Sequence, residues 1–204
     1  MEACTLLEEF KYNKVSVFDT NKTEWQRRRR EWIALGIKSE IGRENMHKAA
    51  YGAGIGDKFT GVSIFDPVLC ELVYRWFVPA GGSILDPFAG GSVRGIVASM
   101  LGYRYTGIEL RKEQIKANME QVHSICTDVR YKPVYICGDS AKVLDIVNKR
   151  FDAVFSCPPY YNLEVYSDDP RDISNLQTYD DFIDIYAVII KKALNLLRNA
   201  SGEE

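Results

Sequence analysis

The sequence predicts an α/β fold with a parallel, doubly wound sheet, and three observations support this prediction. Four short apolar segments alternate with segments of helical periodicity, the order that builds βαβ units. The first apolar segment runs into a glycine turn (residues 87–91) and then directly into a helical pattern. Polar or special residues follow each apolar segment: Asp86, Glu109, Asp139 and the Pro-Pro turn Cys157-Pro158-Pro159-Tyr160. Because ligands bind at the carboxyl ends of the strands in such sheets, these residues are predicted to share one site.

Caps, glycines and prolines set the expected order of elements. Asp66 and Pro67 open a helix as N-cap and first helical residue, and Gly81 and Gly82 separate that helix from the first strand. Strands are expected at 83–86, 104–109, 134–137 and 151–156. Further helices are expected at 93–101, 111–124, 142–147 and 178–198.

The N-terminal region, residues 1–60, is predicted to be a basic helical extension of a main domain that comprises residues 61–204. Its helix is expected to start at Thr23 and to end near Gly36, and it carries the four successive arginines Arg27 to Arg30. We interpret these arginines as a face that contacts phosphates; pairing with nearby glutamates is the alternative.

Composition limits the classes of function. The 204 residues are 46% hydrophobic and 26% charged, with a formal net charge of −2, so any nucleic-acid contact must come from a local basic patch. Five widely spaced cysteines without a C-x-x-C pair, and only two histidines, argue against a zinc site or a disulfide framework. No apolar run reaches the roughly 20 residues of a membrane span. We therefore expect a cytoplasmic protein without a metal site or membrane contact.

The acidic strand ends favour a particular cofactor. Glu109 lies about twenty residues beyond the glycine turn, where a carboxylate can bind two ribose hydroxyls. NAD also has such a ribose, but Asp86 would repel its pyrophosphate and the G-x-G-x-x-G spacing is absent. S-adenosylmethionine combines a ribose with a positive centre and has no phosphate. We expect Asp86 to face its methionine end, Glu109 its ribose and Asp139 its adenine amino group.

Two motifs carry a resemblance to a known family. Asp-Pro-Phe-Ala-Gly-Gly at 86–91, followed by Cys-Pro-Pro-Tyr at 157–160, resembles the signatures of the amino-methyltransferases of DNA, most closely the phage-type DNA methylases. The resemblance covers nearly the whole chain, including stretches at 16–19, 36–40 and 164–172. It implies a Rossmann-like fold that depends on S-adenosylmethionine, duplex DNA as partner, and a phage or restriction–modification setting. The implied cofactor-binding residues are Phe65, Asp66, Asp86, Phe88, Ala89, Gly90, Gly91, Glu109, Leu110, Asp139 and Ser140, and the implied catalytic residues are Cys157, Pro158, Pro159 and Tyr160.

The resemblance also implies a mechanism. The target base is flipped out of the duplex, because its amino group cannot be reached in the stack. Tyr160 would stack on this base, and backbone carbonyls of the Pro-Pro turn would accept hydrogen bonds from the amino group at adenine N6 or cytosine N4. The nitrogen lone pair then points at the methyl carbon, so catalysis is mostly positioning and needs no metal or covalent intermediate.

The chain departs from the family pattern before the prolines. Cys157 stands where the family has Asp, Asn or Ser, and Ser156 stands one place earlier. Because a thiol is a weak hydrogen-bond partner, the target base and the rate stay open. Cys157 could also be the nucleophile of a cytosine-C5 enzyme, although that chemistry typically uses the order Pro-Cys, or it could be an inert residue at a strand end.

A second departure concerns the C-terminus. No strand-like apolar run follows Leu197, whereas resembling enzymes continue into further strands. We therefore expect the C-terminal strands to be missing. The sheet would then have an open edge that a partner or a second copy covers. We also expect weak or absent activity of this chain alone.

Other functions remain open at this stage. Pro-Pro-Tyr turns also serve amino groups in RNA and in glutamine side chains, so an RNA or protein methyltransferase is one alternative. A non-catalytic remnant of a methylase that binds DNA or a partner is another.

Overall fold

The computed structural model describes residues 18–38, 65–145, 147–161 and 166–198. Within these ranges the elements are α1 (Thr23–Ala34), α2 (Pro67–Phe77), β1 (Ser83–Asp86), α3 (Val93–Met100), β2 (Arg104–Glu109), α4 (Lys112–Ile125), β3 (Val134–Cys137), α5 (Ser140–Val143), β4 (Ala153–Val154), a 3₁₀ helix (Ile173–Asn175) and α6 (Tyr179–Asn195). The resembling stretches at 16–19, 36–40 and 164–172 lie partly outside the described residues, and residues 199–204 lie wholly outside them.

The four strands form one parallel sheet in the order β3-β2-β1-β4. This confirms the predicted α/β fold with a parallel, doubly wound sheet. Strands β2 and β3 continue on one side of β1, whereas β4 lies on the other, so the strand order reverses between β1 and β4. A crevice forms at such a switch point, outside the carboxyl ends of the strands, and it is where ligands bind in these folds.

Hydrophobic clusters cover both faces of the sheet. Ile84 and Leu85 are adjacent in β1 and therefore point to opposite faces. Ile84 belongs to a cluster with residues of α1, α2 and α3, and Leu85 belongs to a cluster with residues of α5 and α6. The buried Trp25 and Trp32 of α1 lie in the first cluster, so this helix shares its core with the sheet.

The arginine run of α1 pairs with carboxylates. Glu71 of α2 is fully buried and accepts hydrogen bonds from Arg28 Nε (2.8 Å), Arg28 Nη2 (2.6 Å) and Trp32 Nε1 (2.6 Å). Arg27 pairs with Glu31 at 2.5 Å, and Arg29 with Asp66 at 3.7 Å. A buried carboxylate needs such partners, so the contacts of Glu71 hold α1 against α2, whereas the Arg27–Glu31 pair lies within α1. They favour ion pairing, the alternative interpretation of the run, over the predicted phosphate-contacting face.

Strand β4 is shorter than the predicted 151–156. Phe155 N still donates to Leu85 O (3.0 Å), but the next hydroxyl, Ser156 Oγ, bonds to the Asp86 side chain. The two prolines that follow have no N–H to donate to a sheet, so regular pairing stops.

Two predicted helix boundaries also move. Helix α5 begins before the predicted residue 142, because the Asp139 side chain caps it by accepting a hydrogen bond from Ala141 N (2.9 Å). Helix α6 ends at Asn195 rather than at residue 198, and the chain then returns to the sheet. Leu197 forms a parallel β-bridge with Phe151, so the amino end of the expected open edge is partly covered.

The described ranges contain no helix long and apolar enough to cross a membrane. The same part of the chain has no group of three or more His, Cys, Asp or Glu side chains placed to hold a metal ion.

Candidate functional site

A cavity lies at the carboxyl ends of the strands, between the glycine turn and the Pro-Pro turn. Most of the predicted site residues line it: Phe65, Phe88, Gly90, Gly91, Glu109, Leu110, Asp139, Ser140, Cys157, Pro159 and Tyr160. Asp66, Asp86, Ala89 and Pro158 do not line it. Sequence reasoning missed several other lining residues, among them Arg94, Gln114, Tyr166, Arg171 and Asp172.

The glycine turn lies close to β2. Gly90 has a positive φ of 50°, a backbone conformation that glycine adopts without steric cost. Its N–H donates to Glu109 Oε2 (2.9 Å), and its carbonyl accepts from Asn118 Nδ2 (2.7 Å). Gly107 of β2 permits this approach, since a Cβ there would lie only 2.7 Å from Ala89 Cβ. The turn is therefore held from both sides by side chains of β2 and α4.

Glu109 joins the glycine turn to the start of α4. Its Oε2 accepts from Gly90 N and its Oε1 from Arg111 N, each at 2.9 Å. The residue is half-buried and lines the cavity. A carboxylate can accept about four hydrogen bonds, so Glu109 can hold the turn and also receive hydroxyl groups of a ligand.

Asp86 is buried rather than exposed to the cavity. Its Oδ1 accepts from Phe88 N (3.1 Å) and Ser156 Oγ (2.5 Å), and its Oδ2 from Arg94 Nε and Tyr105 Oη (2.6 Å each). The side chain is 0% exposed. The sequence predicts that Asp86 faces the methionine end of a cofactor. In the structure, the hydrogen bonds of Asp86 instead connect β1 with β2, with α3 and with Ser156, which precedes the Pro-Pro turn. Burial of a carboxylate requires such a set of donors.

Arg94 is the buried cation that pairs with Asp86. Its Nη2 also donates to the carbonyl oxygens of Phe88 (2.7 Å) and Ala89 (2.9 Å), and its guanidinium carbon lies 4.8 Å from the centre of the Phe65 ring. Burial alone would lower the pKa of Arg94, but the Asp86 carboxylate raises it well above its ordinary value, so the side chain is a permanent cation. One sequence signal could have found it: Arg94 is the only charged residue of α3.

The Pro-Pro turn presents a thiol to the cavity. Ser156 points toward the core, because its Oγ donates to Asp86 and accepts from Phe88 N (3.1 Å). Cys157 lines the cavity, with its Sγ 3.8 Å from Tyr160 Oη. Ser156 therefore does not replace the polar residue that the family pattern has before the prolines.

A row of aromatic rings connects the Pro-Pro turn to the glycine turn. Tyr161, which has a positive φ of 48°, contacts Tyr179 and Phe182 of α6, with ring centroids 5.6 Å apart in both pairs. Phe182 stacks on Tyr186 at 6.1 Å, and Tyr186 lies 6.0 Å from Phe88. The two turns are thus supported by one face of α6.

The segment around the 3₁₀ helix closes another side of the cavity. Tyr166, Arg171, Asp172 and Ile173 line it. Asp172 accepts from Ser174 N (3.0 Å) and Ser167 Oγ (2.9 Å), which fixes the local turn. Arg171 forms a two-point ion pair with Asp169, and its hydrogen bond holds the pKa of Asp169 at about 2.

Comparisons with known proteins identify the fold. No protein-family model matches the sequence, and no curated protein matches it. TrmN from Thermus thermophilus is similar in structure, with a TM-score of 0.50 and 18% identity over 65% of this chain and 35% of that protein. A SAM-dependent methyltransferase from Agrobacterium tumefaciens has a TM-score of 0.50 and 18% identity over 71% of this chain and 45% of that protein.

These likenesses show the fold alone. The chain has a Rossmann-like α/β fold shared with SAM-dependent methyltransferases, as the sequence predicted. It spans less than half the length of either protein.

Proposed function

We propose that this protein is a methyltransferase that uses S-adenosylmethionine and acts on the exocyclic amino group of adenine (N6) or cytosine (N4) in DNA. One observation carries the proposal: a single cavity contains both the Glu109 carboxylate beside the glycine turn and the Pro-Pro turn. We therefore assign binding of the nucleoside cofactor to the wall that carries Glu109. We assign positioning of the substrate amino group to the adjoining wall, which is the Pro-Pro turn.

The residues of the cavity fit the cofactor. Glu109 would accept hydrogen bonds from the ribose hydroxyls, and the apolar side chains of Ile108 and Leu110 would contact the adenine. Asp139 lies at the same end of the cavity, where its carboxylate would accept a hydrogen bond from the adenine amino group. When bound, the cofactor supplies an activated methyl group on a sulfonium, which is a good leaving group.

The Pro-Pro turn supplies hydrogen-bond acceptors for the amino group of the substrate. Pro158 and Pro159 have no N–H, so at these two positions the backbone has acceptors but no competing donors. Tyr160 is 52% exposed, and its ring would stack on a base that has left the duplex. These contacts would direct the nitrogen lone pair at the methyl carbon, so the rate comes mostly from positioning.

DNA is proposed as the substrate because of the two motifs and their order along the chain. RNA bases and glutamine side chains carry amino groups of the same chemistry. The test therefore includes RNA and protein as alternative substrates. The arginine run of α1 no longer favours nucleic acid, since three of its four side chains form ion pairs with carboxylates.

The test is incubation of the chain with DNA, RNA or protein and cofactor labelled in its methyl group, followed by mass spectrometry of the nucleosides or peptides. We expect label in N6-methyladenine or N4-methylcytosine. Label confined to RNA or protein would refute the DNA assignment, and label at cytosine C5 would refute amino transfer. Calorimetry is the control for cofactor binding: absence of binding at millimolar S-adenosylmethionine would favour the non-catalytic remnant.

A further inference from the structure

We propose that Arg94 binds the carboxylate at the amino-acid end of the cofactor. The inference rests on the proposed function and adds to it a residue that neither the motifs nor the predicted site contained. It differs from the expectation from the sequence, in which the Asp86 carboxylate faces the methionine end of the cofactor.

The hydrogen bonds of Arg94 leave one nitrogen for a ligand. Nε and Nη2 are occupied by Asp86, Phe88 and Ala89. Nη1 makes no hydrogen bond within the part of the chain that the structure describes, and it is not among the buried atoms without a partner. Because Arg94 is only 5% exposed and lines the cavity, Nη1 is the part of the guanidinium that a bound molecule can reach.

The surroundings of Arg94 favour an anion. Asp86 lies behind the guanidinium and is fully buried, so a ligand in the cavity meets the cation and not the carboxylate. The Phe65 ring covers the guanidinium at 4.8 Å and limits access by water. A charge-assisted hydrogen bond formed in such a water-poor place is stronger than one at the surface.

Among the residues that the structure describes, two other arginines line the cavity, but neither offers the same geometry. Arg171 is exposed and already pairs with Asp169 through two hydrogen bonds. Arg111 is half-buried at the start of α4, where its N–H donates to Glu109, at the ribose end of the proposed cofactor site. Arg94 is the buried one of the three, and it lies beside the glycine turn.

The first experiment uses the unaltered chain and two ligands. Calorimetry compares S-adenosylmethionine with its decarboxylated form, which keeps the sulfonium and the amino group. We expect the decarboxylated form to bind roughly tenfold to a hundredfold more weakly, as the loss of one charge-assisted hydrogen bond predicts. Equal affinities would overturn the inference and leave the proposed cofactor in place. Binding of neither compound would refute the proposed cofactor itself and the inference with it.

The second experiment tests whether Arg94 causes the preference for S-adenosylmethionine over its decarboxylated form. Arg94→Lys keeps a positive charge beside Asp86, but a single ammonium cannot bond to Asp86 and to a ligand with guanidinium geometry. We expect this variant to bind both compounds with affinities within roughly threefold of each other. Arg171→Lys is the matched control and should keep the preference of the wild-type chain. The opposite result, loss in Arg171→Lys and retention in Arg94→Lys, would overturn the inference.

A third measurement does not depend on the folding of a variant. In a crystal structure with S-adenosylhomocysteine, we expect a carboxylate oxygen of the ligand about 2.7–2.9 Å from Arg94 Nη1. A carboxylate bonded elsewhere would overturn the inference.

Discussion

The two walls of the cavity are built differently. On the wall formed by β1 and β2, Glu109 accepts hydrogen bonds from the backbone N–H groups of Gly90 and Arg111. Behind this wall, the buried Asp86 accepts from backbone and side-chain groups, so both carboxylates hold the glycine turn. The other wall is the Pro-Pro turn, which follows the two-residue strand β4. In this turn Tyr160 is 52% exposed, and Cys157 Sγ lies 3.8 Å from Tyr160 Oη. The first wall is preformed, as a site for a cofactor requires, whereas the second is open enough to admit a substrate group from solvent.

The largest effect is expected at Asp86, where the two walls are joined. Asp86→Ala leaves Arg94 as a buried charge without its carboxylate and should lower the free energy of unfolding by about 3–5 kcal/mol. Asp145→Ala is a matched control, because Asp145 pairs with Lys192 at 2.6 Å but its side chain is 58% exposed. This control should cost less than about 1 kcal/mol. Denaturant unfolding followed by circular dichroism measures both, and equal losses would contradict the role given to Asp86.

Glu109 tests the preformed wall without breaking the core. Glu109→Ala removes the acceptor for Gly90 N and the acceptor proposed for the ribose hydroxyls, so the affinity for S-adenosylmethionine should fall by roughly tenfold to a hundredfold. Glu113→Ala, an exposed change in the first turn of α4, should leave the affinity unchanged. Calorimetry decides between them, and full affinity in Glu109→Ala would remove this residue from the cofactor site.

Tyr160 tests the open wall. Tyr160→Ala removes the surface proposed to stack on the base, an interaction worth about 1–3 kcal/mol per base, so methyl transfer should slow by roughly tenfold or more at unchanged cofactor affinity. Tyr160→Phe keeps the ring and should keep most of the rate. A rate for Tyr160→Ala equal to that of the wild type would contradict stacking, and a parallel loss of cofactor affinity would contradict the separation of the two walls.

The smallest effect is expected at Cys157. Cys157→Ser replaces a weak hydrogen-bond partner by a stronger one, so transfer to an amino group should rise, by no more than roughly tenfold. A nucleophilic cysteine would instead make the same change abolish transfer. Counting labelled nucleosides from matched reactions of both proteins separates the two outcomes.

The sequence predicted the sheet and most of the cavity because both depend on local patterns. Apolar runs that alternate with helical periodicity define parallel strands, and the residues at their carboxyl ends must then share one edge. This rule predicts that Glu109 and the Pro-Pro turn share one site.

The partners of buried charges depend on contacts that no local pattern encodes. Arg94 reaches back from α3 to Asp86, and Arg28 meets Glu71 across two helices. The Ser156 hydroxyl turns to the core rather than to the cavity. In each case the sequence shows a charge or a hydroxyl but not the group that faces it, and that group decides whether the residue serves the fold or the ligand.

The hydrogen bond from Gly90 N to Glu109 also offers a spectroscopic reporter. The amide proton of Gly90 is held by the carboxylate that would bind a ribose, so its exchange with solvent deuterium measures how often the glycine turn opens. A ligand that fills this end of the cavity should slow that exchange, while amides of the exposed 179–181 segment keep their rates. One proton would thus report occupancy of the site without catalysis, a label or a known substrate.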